Sequence, residues 1–349
     1  MTMRGPISED TLARALAGGV LTADQVEALH ALEQEGSPPG SSGPADSEQF
    51  RFITGFGDIF VTIGLALFLG ALTYFARGFI GDAGARLATA AACWLLAEYF
   101  TRQRRMALPS IVLLLVFAVS IFLSIADPRQ LASVFSLGID VSGWPAVLAG
   151  LVTAAATALH YLRFRVPITI AAGAAALVAS IVALFVLLAP DLASRATVPL
   201  IFVCGIGVFA LAMRFDLSDP ARQTRRTDIA FWLHMLAAPL IVHPLVSGFV
   251  GGGSLDTASA LAVLTIFIAL SLVALIVDRR AILVAGLSYA GIAFGTLVAN
   301  AGLTSGTVPL TLLVLGALVL LLSAGWHGLR RLLLPLLPVA LVRRLPPHT

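Results

Sequence analysis

Charge is what this chain has least of. Of its 349 residues only 12% are Asp, Glu, Lys or Arg, while 58% are hydrophobic. A soluble globular domain carries about 25% charged residues. So few charges cannot cover a water-facing surface, and most of the outer surface has to face lipid. Lysine is missing altogether, and all 22 basic residues are arginine. They are dispersed between apolar runs, which excludes a continuous basic footprint for nucleic acid. Cysteine is almost absent as well. Cys93 and Cys204 each lie inside an apolar run without a CxxC or Cys/His neighbour. They read as small apolar fillers, not as a disulfide or a metal site. There is no Walker A loop, HExxH, GxSxG or acidic cluster, so nothing calls for a metal, a cofactor or an intrinsic catalytic centre.

The first residues do not read as a signal peptide, and the first apolar run begins near Gly55. That run is expected to act as an uncleaved export signal. Before it, residues 1–35 predict a small cytoplasmic helical hairpin. Ser8 can cap a first helix that Gly18-Gly19 terminates, and Thr22-x-x-Gln25 fits a capping box for the second. Leu12 and Leu16, then Val26, Leu29 and Leu32, recur at helical spacing and leave one apolar side. A hairpin this short is not independently stable. That side is expected to dock on the membrane domain or on a protein partner. Residues 36–50, rich in Gly, Ser and Pro, read as a flexible linker.

Residues 51–328 predict an all-α, polytopic transmembrane helix bundle of about ten spans. A helix needs about 20 apolar residues to cross the hydrocarbon. Runs of that order fall at about 56–76, 85–101, 107–126, 144–162, 166–189, 197–214, 229–250, 258–277, 281–300 and 307–326. Arginine placement supports the alternation. One set of helix ends holds 18 arginines and the opposite loops hold four: Arg77, Arg86, Arg129 and Arg195. The positive-inside rule puts the richer set, and both termini, in the cytoplasm of an inner membrane. Residues 329–349 contain a short apolar run between arginine pairs and read as an interfacial tail.

The prolines single out one span. Pro109, Pro145, Pro167, Pro199 and Pro309 fall in predicted first turns, where a missing N–H costs nothing. Pro239 and Pro244 fall inside the span 229–250 and predict a helix kink there. The same span carries His234 and His243, nine residues apart and so on opposite faces of a straight helix. Ionisable groups inside a membrane are functional suspects. His234, His243, Glu98 and Asp58 are therefore the candidate intramembrane polar site. Each has a simpler account: hydrogen-bonded histidines, an i,i+4 pair of Glu98 with Arg102, and Asp58 at a helix N-terminus. His160, one turn from Arg163, reads as a snorkelling interfacial residue. A haem held by His160 and His234 together is a remote alternative. Gly291-x-x-x-Gly295 is a small-residue face for close helix packing, within the chain or in a homo-oligomer. TVPL occurs at 197–200 and 307–310 and suggests a weak parallel repeat of two helix pairs. The charged stretch 214–228 is the longest cytoplasmic turn between spans and a second candidate partner site.

The segment GGVLTADQVEAL, 18–29, followed by these spans, resembles a family of predicted bacterial inner-membrane proteins of unknown function. Those have an N-terminal helical hairpin with a "G-[IVL]-[LI]-[ST]-x-x-Q" turn, followed by about eight to ten transmembrane helices. The resemblance implies an integral membrane protein and transfers no site residue. The expectation is a non-catalytic scaffold, regulatory or envelope component. The alternative is a small-solute transporter or permease whose path is lined by the helix at 229–250.

Overall fold

The structure, a computed structural model, describes residues 16, 18–22, 24–26, 56–126, 143–219, 224–250, 256–278, 281–302, 307–333 and 335. Among them all regular structure is helical. The helices are α1 (Phe56–Ala97), continued by a π-helical turn (Glu98–Gln103), α2 (Ala107–Ile125), α3 (Trp144–Phe164), α4 (Ile168–Leu188), α5 (Pro190–Leu217), α6 (Arg225–Val250), α7 (Thr257–Val277), α8 (Ala281–Asn300) and α9 (Thr307–Leu333). Seven are long and apolar enough to cross a membrane, or eight when the bent α9 is counted as one span. Helix is the form expected where no water can satisfy the backbone.

α1 is two helices in one. Its 42 residues would reach about 63 Å if straight, twice the hydrocarbon thickness. Instead Gly81 leaves the helical region, at φ 71 and ψ 178. Beyond it the chain doubles back, so that the Thr73 and Thr89 hydroxyls hydrogen-bond at 2.7 Å. On a straight helix those two residues would stand about 24 Å apart. Leu65 and Leu69 of the first arm then pack with Ala90, Cys93 and Ala97 of the second and with Leu113 and Leu114 of α2.

In lipid, apolar contact alone does not drive helices together, so close packing and hydrogen bonds have to set the arrangement. Small residues do this between neighbours. A Cβ on Gly150 of α3 would lie 2.6 Å from Ser180 Cβ and 2.7 Å from the Ala176 carbonyl oxygen of α4. The Ser180 hydroxyl donates across this seam to the Val147 carbonyl at 2.9 Å. A Cβ on Gly205 of α5 would lie 2.9 Å from the Leu240 carbonyl carbon of α6. Gly291 and Gly295 of α8 face Leu315 and Thr311 of α9, so this small-residue face is used within the chain. Outside the bundle, large apolar side chains stay exposed, up to Phe79 at 88%, as a lipid-facing surface requires.

Several predicted boundaries move. α5 begins at Pro190, so Pro199 lies inside a helix and not in a first turn. Only the second TVPL copy starts a helix; the first is seven residues into α5, and the two do not occupy equivalent places. α9 runs to Leu333 and takes Arg330 and Arg331 into the helix, so the tail boundary at 329 is too early. α6 is continuous from Arg225 to Val250 with both prolines inside it. Of the N-terminal hairpin, most lies outside the described residues. The capping box itself is present: the Thr22 backbone N–H donates to Gln25 Oε1 at 3.0 Å, and the Gln25 N–H to Thr22 Oγ1 at 3.4 Å.

Candidate functional site

His234 sits on the third turn of α6 and is fully buried. Its Nε2 lies 2.8 Å from Asp216 Oδ2, and the two side chains are 0% and 3% exposed. Asp216 is in the last turn of α5, which runs several residues beyond its apolar stretch. The Gly205–Leu240 contact brings α5 and α6 together closely enough for this pairing. It also seats α5 on the segment where Pro239 and Pro244 deprive the Met235 and Leu240 carbonyls of their helical donors. Leu233 and Ala237 of α6 pack with Ala212 of α5 in one buried cluster, and Phe209 stands edge-on to the imidazole at 5.3 Å. Three residues on, Asp219 is also buried. Its Oδ2 accepts from the Thr224 N–H (2.8 Å), the Thr224 hydroxyl (2.6 Å) and the Thr227 hydroxyl (3.0 Å). Asp216 and Asp219 of the predicted surface loop 214–228 therefore point inward and tie α5 to α6. Residues 220–223 of that loop lie outside the described residues.

Phe209 also packs on the cluster of Ala274, Leu275 and Trp326. There the Trp326 indole N–H donates to Asp278 Oδ1 at 2.8 Å, and Arg330 NH1 lies 3.6 Å from Asp278 Oδ2. Asp278 follows α7 and the other two residues belong to α9. Two polar networks thus flank one phenylalanine at the same end of the bundle, and they join α5 to α6 and α7 to α9.

The other predicted residues lie apart from this centre. His243, half-buried, hydrogen-bonds through Nδ1 to the Tyr289 hydroxyl of α8. Glu98, in the π-helical turn, receives the Arg163 guanidinium at 2.6 and 2.9 Å, and Arg102 at 3.3 Å. The predicted Arg102 pair exists, but the closer partner comes from α3. Asp58 is buried in the first turn of α1, as expected for a carboxylate at a helix N-terminus. His160 does not snorkel. It is 1% exposed, boxed by Trp94, Phe117 and Phe164 with ring centroids at 5.7, 5.5 and 4.6 Å. His160 and His234 therefore face different neighbours and make no shared ligand pair. Asn300 ends α8 and donates to the Thr257 hydroxyl at the start of α7 at 3.2 Å. Cys93 is buried and Cys204 half-buried, and both are free. Among the described residues no three His, Cys, Asp or Glu side chains converge as a metal site.

Asp216, Asp219, Tyr289 and the Asp278–Trp326–Arg330 group went unread in the sequence. The signal available for Asp216 was that a carboxylate followed a 200–213 apolar stretch without a helix breaker, so the helix could carry it inward. Comparison with protein-family models, with curated proteins and with solved structures returned no match.

Proposed function

We propose that this chain is a ten-span inner-membrane protein, with both termini cytoplasmic, acting as a non-catalytic scaffold or regulatory component of the envelope. Ten crossings result from counting the two arms of α1 separately and adding α2 to α9. The 18-to-4 arginine asymmetry then assigns the cytoplasmic side. The N-terminal element with its Thr22–Gln25 capping box, in the segment that resembles the family of predicted inner-membrane proteins, is the proposed contact for a protein partner.

The observation that carries the functional reading is dispersal. His234, His243 and Glu98 each have a different partner on a different helix: Asp216, Tyr289 and Arg163. A transport path needs its polar groups along one accessible route. Here each group braces one pair of helices. The competing permease reading draws on the buried His234–Asp216 pair, because a titratable pair in a membrane domain is a natural proton carrier.

Reconstituted vesicles enclosing a pH indicator separate the two. Under an imposed pH gradient and membrane potential, the scaffold reading expects proton flux equal to that of empty vesicles. Flux that disappears in His234→Asn would overturn it in favour of the permease. Orientation is tested in a Cys93→Ala/Cys204→Ala background carrying Asp82→Cys, Ser218→Cys or Gly302→Cys. An impermeant maleimide added to spheroplasts should label the first and third. Labelling of the second from outside would reverse the assignment.

A further inference from the structure

We propose that the arginine-rich end of α1–α4 binds the phosphate headgroup of an anionic phospholipid. The inference rests on the membrane placement of the chain and not on the scaffold reading. Its first support is backbone conformation. The turn before α2 places Arg105 at φ 54, and the turn after α3 places Arg165 at φ 55. This left-handed region is strained for a residue with a Cβ, and glycine normally fills it at a helix end. Two turns at one end of the bundle keep arginine there instead. Both side chains are exposed, and among the described residues neither guanidinium has a hydrogen bond or an ion pair.

The surroundings of these two arginines are built. Glu98 projects from a π-helical turn, a distortion common at functional sites. It draws Arg163 and Arg102 toward each other through contacts of 2.6, 2.9 and 3.3 Å. Arg104 is held on Tyr99, its Nε donating to the hydroxyl at 3.1 Å and its guanidinium carbon 5.5 Å from the ring centroid. Five arginines thus share this end with a single carboxylate partner, and two of the five are left to bind something else. Guanidinium groups match phosphate oxygens in geometry and charge. On the helices that lead to this end, Leu95 of α1 and Leu159 and Leu162 of α3 form apolar surface, 71%, 60% and 74% exposed. A phosphate carrying acyl chains meets both the arginines and this apolar wall. A free phosphate meets only the arginines.

The test uses purified full-length protein in a neutral detergent, with thermal unfolding followed on titration of phosphatidylglycerol, phosphatidylcholine or inorganic phosphate. Phosphatidylglycerol should raise the melting temperature saturably, and the other two should not. In Arg105→Gly/Arg165→Gly the apparent affinity should fall by about fivefold per arginine, roughly 25-fold in all. Glycine suits both backbone positions, so this variant should fold at least as well as the parent, and Arg105→Asn/Arg165→Asn provides a second folded form. Equal stabilisation by phosphatidylcholine would overturn the proposal. So would an unchanged affinity in both variants. A response to inorganic phosphate as strong as to the lipid would replace the lipid site with a free-phosphate site.

Discussion

The two ends of the helix bundle turn the chain in different ways. Among the described residues of the bundle, the left-handed turn positions at the arginine-rich end are Arg105, Arg165 and Asp278, and at the opposite end Gly81, Gly143 and Gly302. Glycine adopts positive φ freely, whereas a residue with a Cβ does so at a cost of about 1 kcal/mol or more. The polar networks divide in the same way. Asp216–His234, Asp219 with its threonines, Asp278–Trp326–Arg330 and the Glu98 clamp all belong to the arginine-rich end. The opposite end is joined by lighter links, such as Asn300 to Thr257 and Arg86 to the Leu123 carbonyl. One end is braced by charge at the expense of backbone strain, and the other is built for easy turning. The proposed positive-inside orientation would place arginine at that end. The proposed headgroup site would in addition account for arginine in strained turn positions.

The largest expected effect breaks the braced end. His234→Ala or Asp216→Ala leaves a buried partner without its bond and should destabilise the bundle by about 3 kcal/mol. Unfolding in detergent measures this. A double variant costing much less than the sum of the singles would establish the coupling, and strict additivity would refute it. Next comes the opposite end. Gly81→Ala forces a Cβ into a conformation that glycine alone tolerates and should cost about 1–3 kcal/mol. An unaltered melting curve would show that the α1 hairpin does not depend on this turn.

Swapping the turn chemistries sharpens the contrast. Arg165→Gly should stabilise the fold by up to about 1 kcal/mol in lipid-free detergent, while Gly302→Arg should destabilise it by a similar amount. If both swaps were neutral, the difference between the ends would carry no energetic weight. The smallest effect belongs to a carboxylate of the opposite end. Asp256 caps α7 by accepting from the Ser259 N–H at 3.0 Å, and the Ser259 hydrogen bonds hold its carboxyl below the ordinary aspartate value. A lowered value means the cap contributes above the unfolded-state value and is lost as pH falls through the folded one. Asp256→Asn should remove that acid-side dependence, seen as flatter melting temperatures between pH 5 and pH 3 (roughly the carboxylate range).

Legibility follows from range. The Thr22–Gln25 capping box and the Glu98–Arg102 pair involve residues three or four apart, so spacing alone reveals them. Asp216 and His234 are eighteen residues apart in sequence and meet only because Gly205 lets α5 lie against Leu240. The predicted span 197–214 ended at the first charge, since hydropathy counts Asp216 as a loop residue. The helix continues because a buried imidazole receives that carboxylate. Pro199 was misplaced for the same reason at the other end, where Pro190 begins α5 seven residues before the apolar window.

The sequence by itself determined the helical, lipid-facing character of this protein, because 58% apolar residues in long runs leave the backbone no other way to satisfy itself. It also determined which helix ends carry arginine. The tertiary structure alone decided what each polar group inside the bundle does. Lipid tails are as apolar as leucine, so hydrophobicity does not choose helix partners; glycine-sized gaps and a few hydrogen bonds choose them. Only in that packing does Glu98 gain Arg163 beside its neighbour Arg102, and His234 change from a lone polar residue into half of a buried pair.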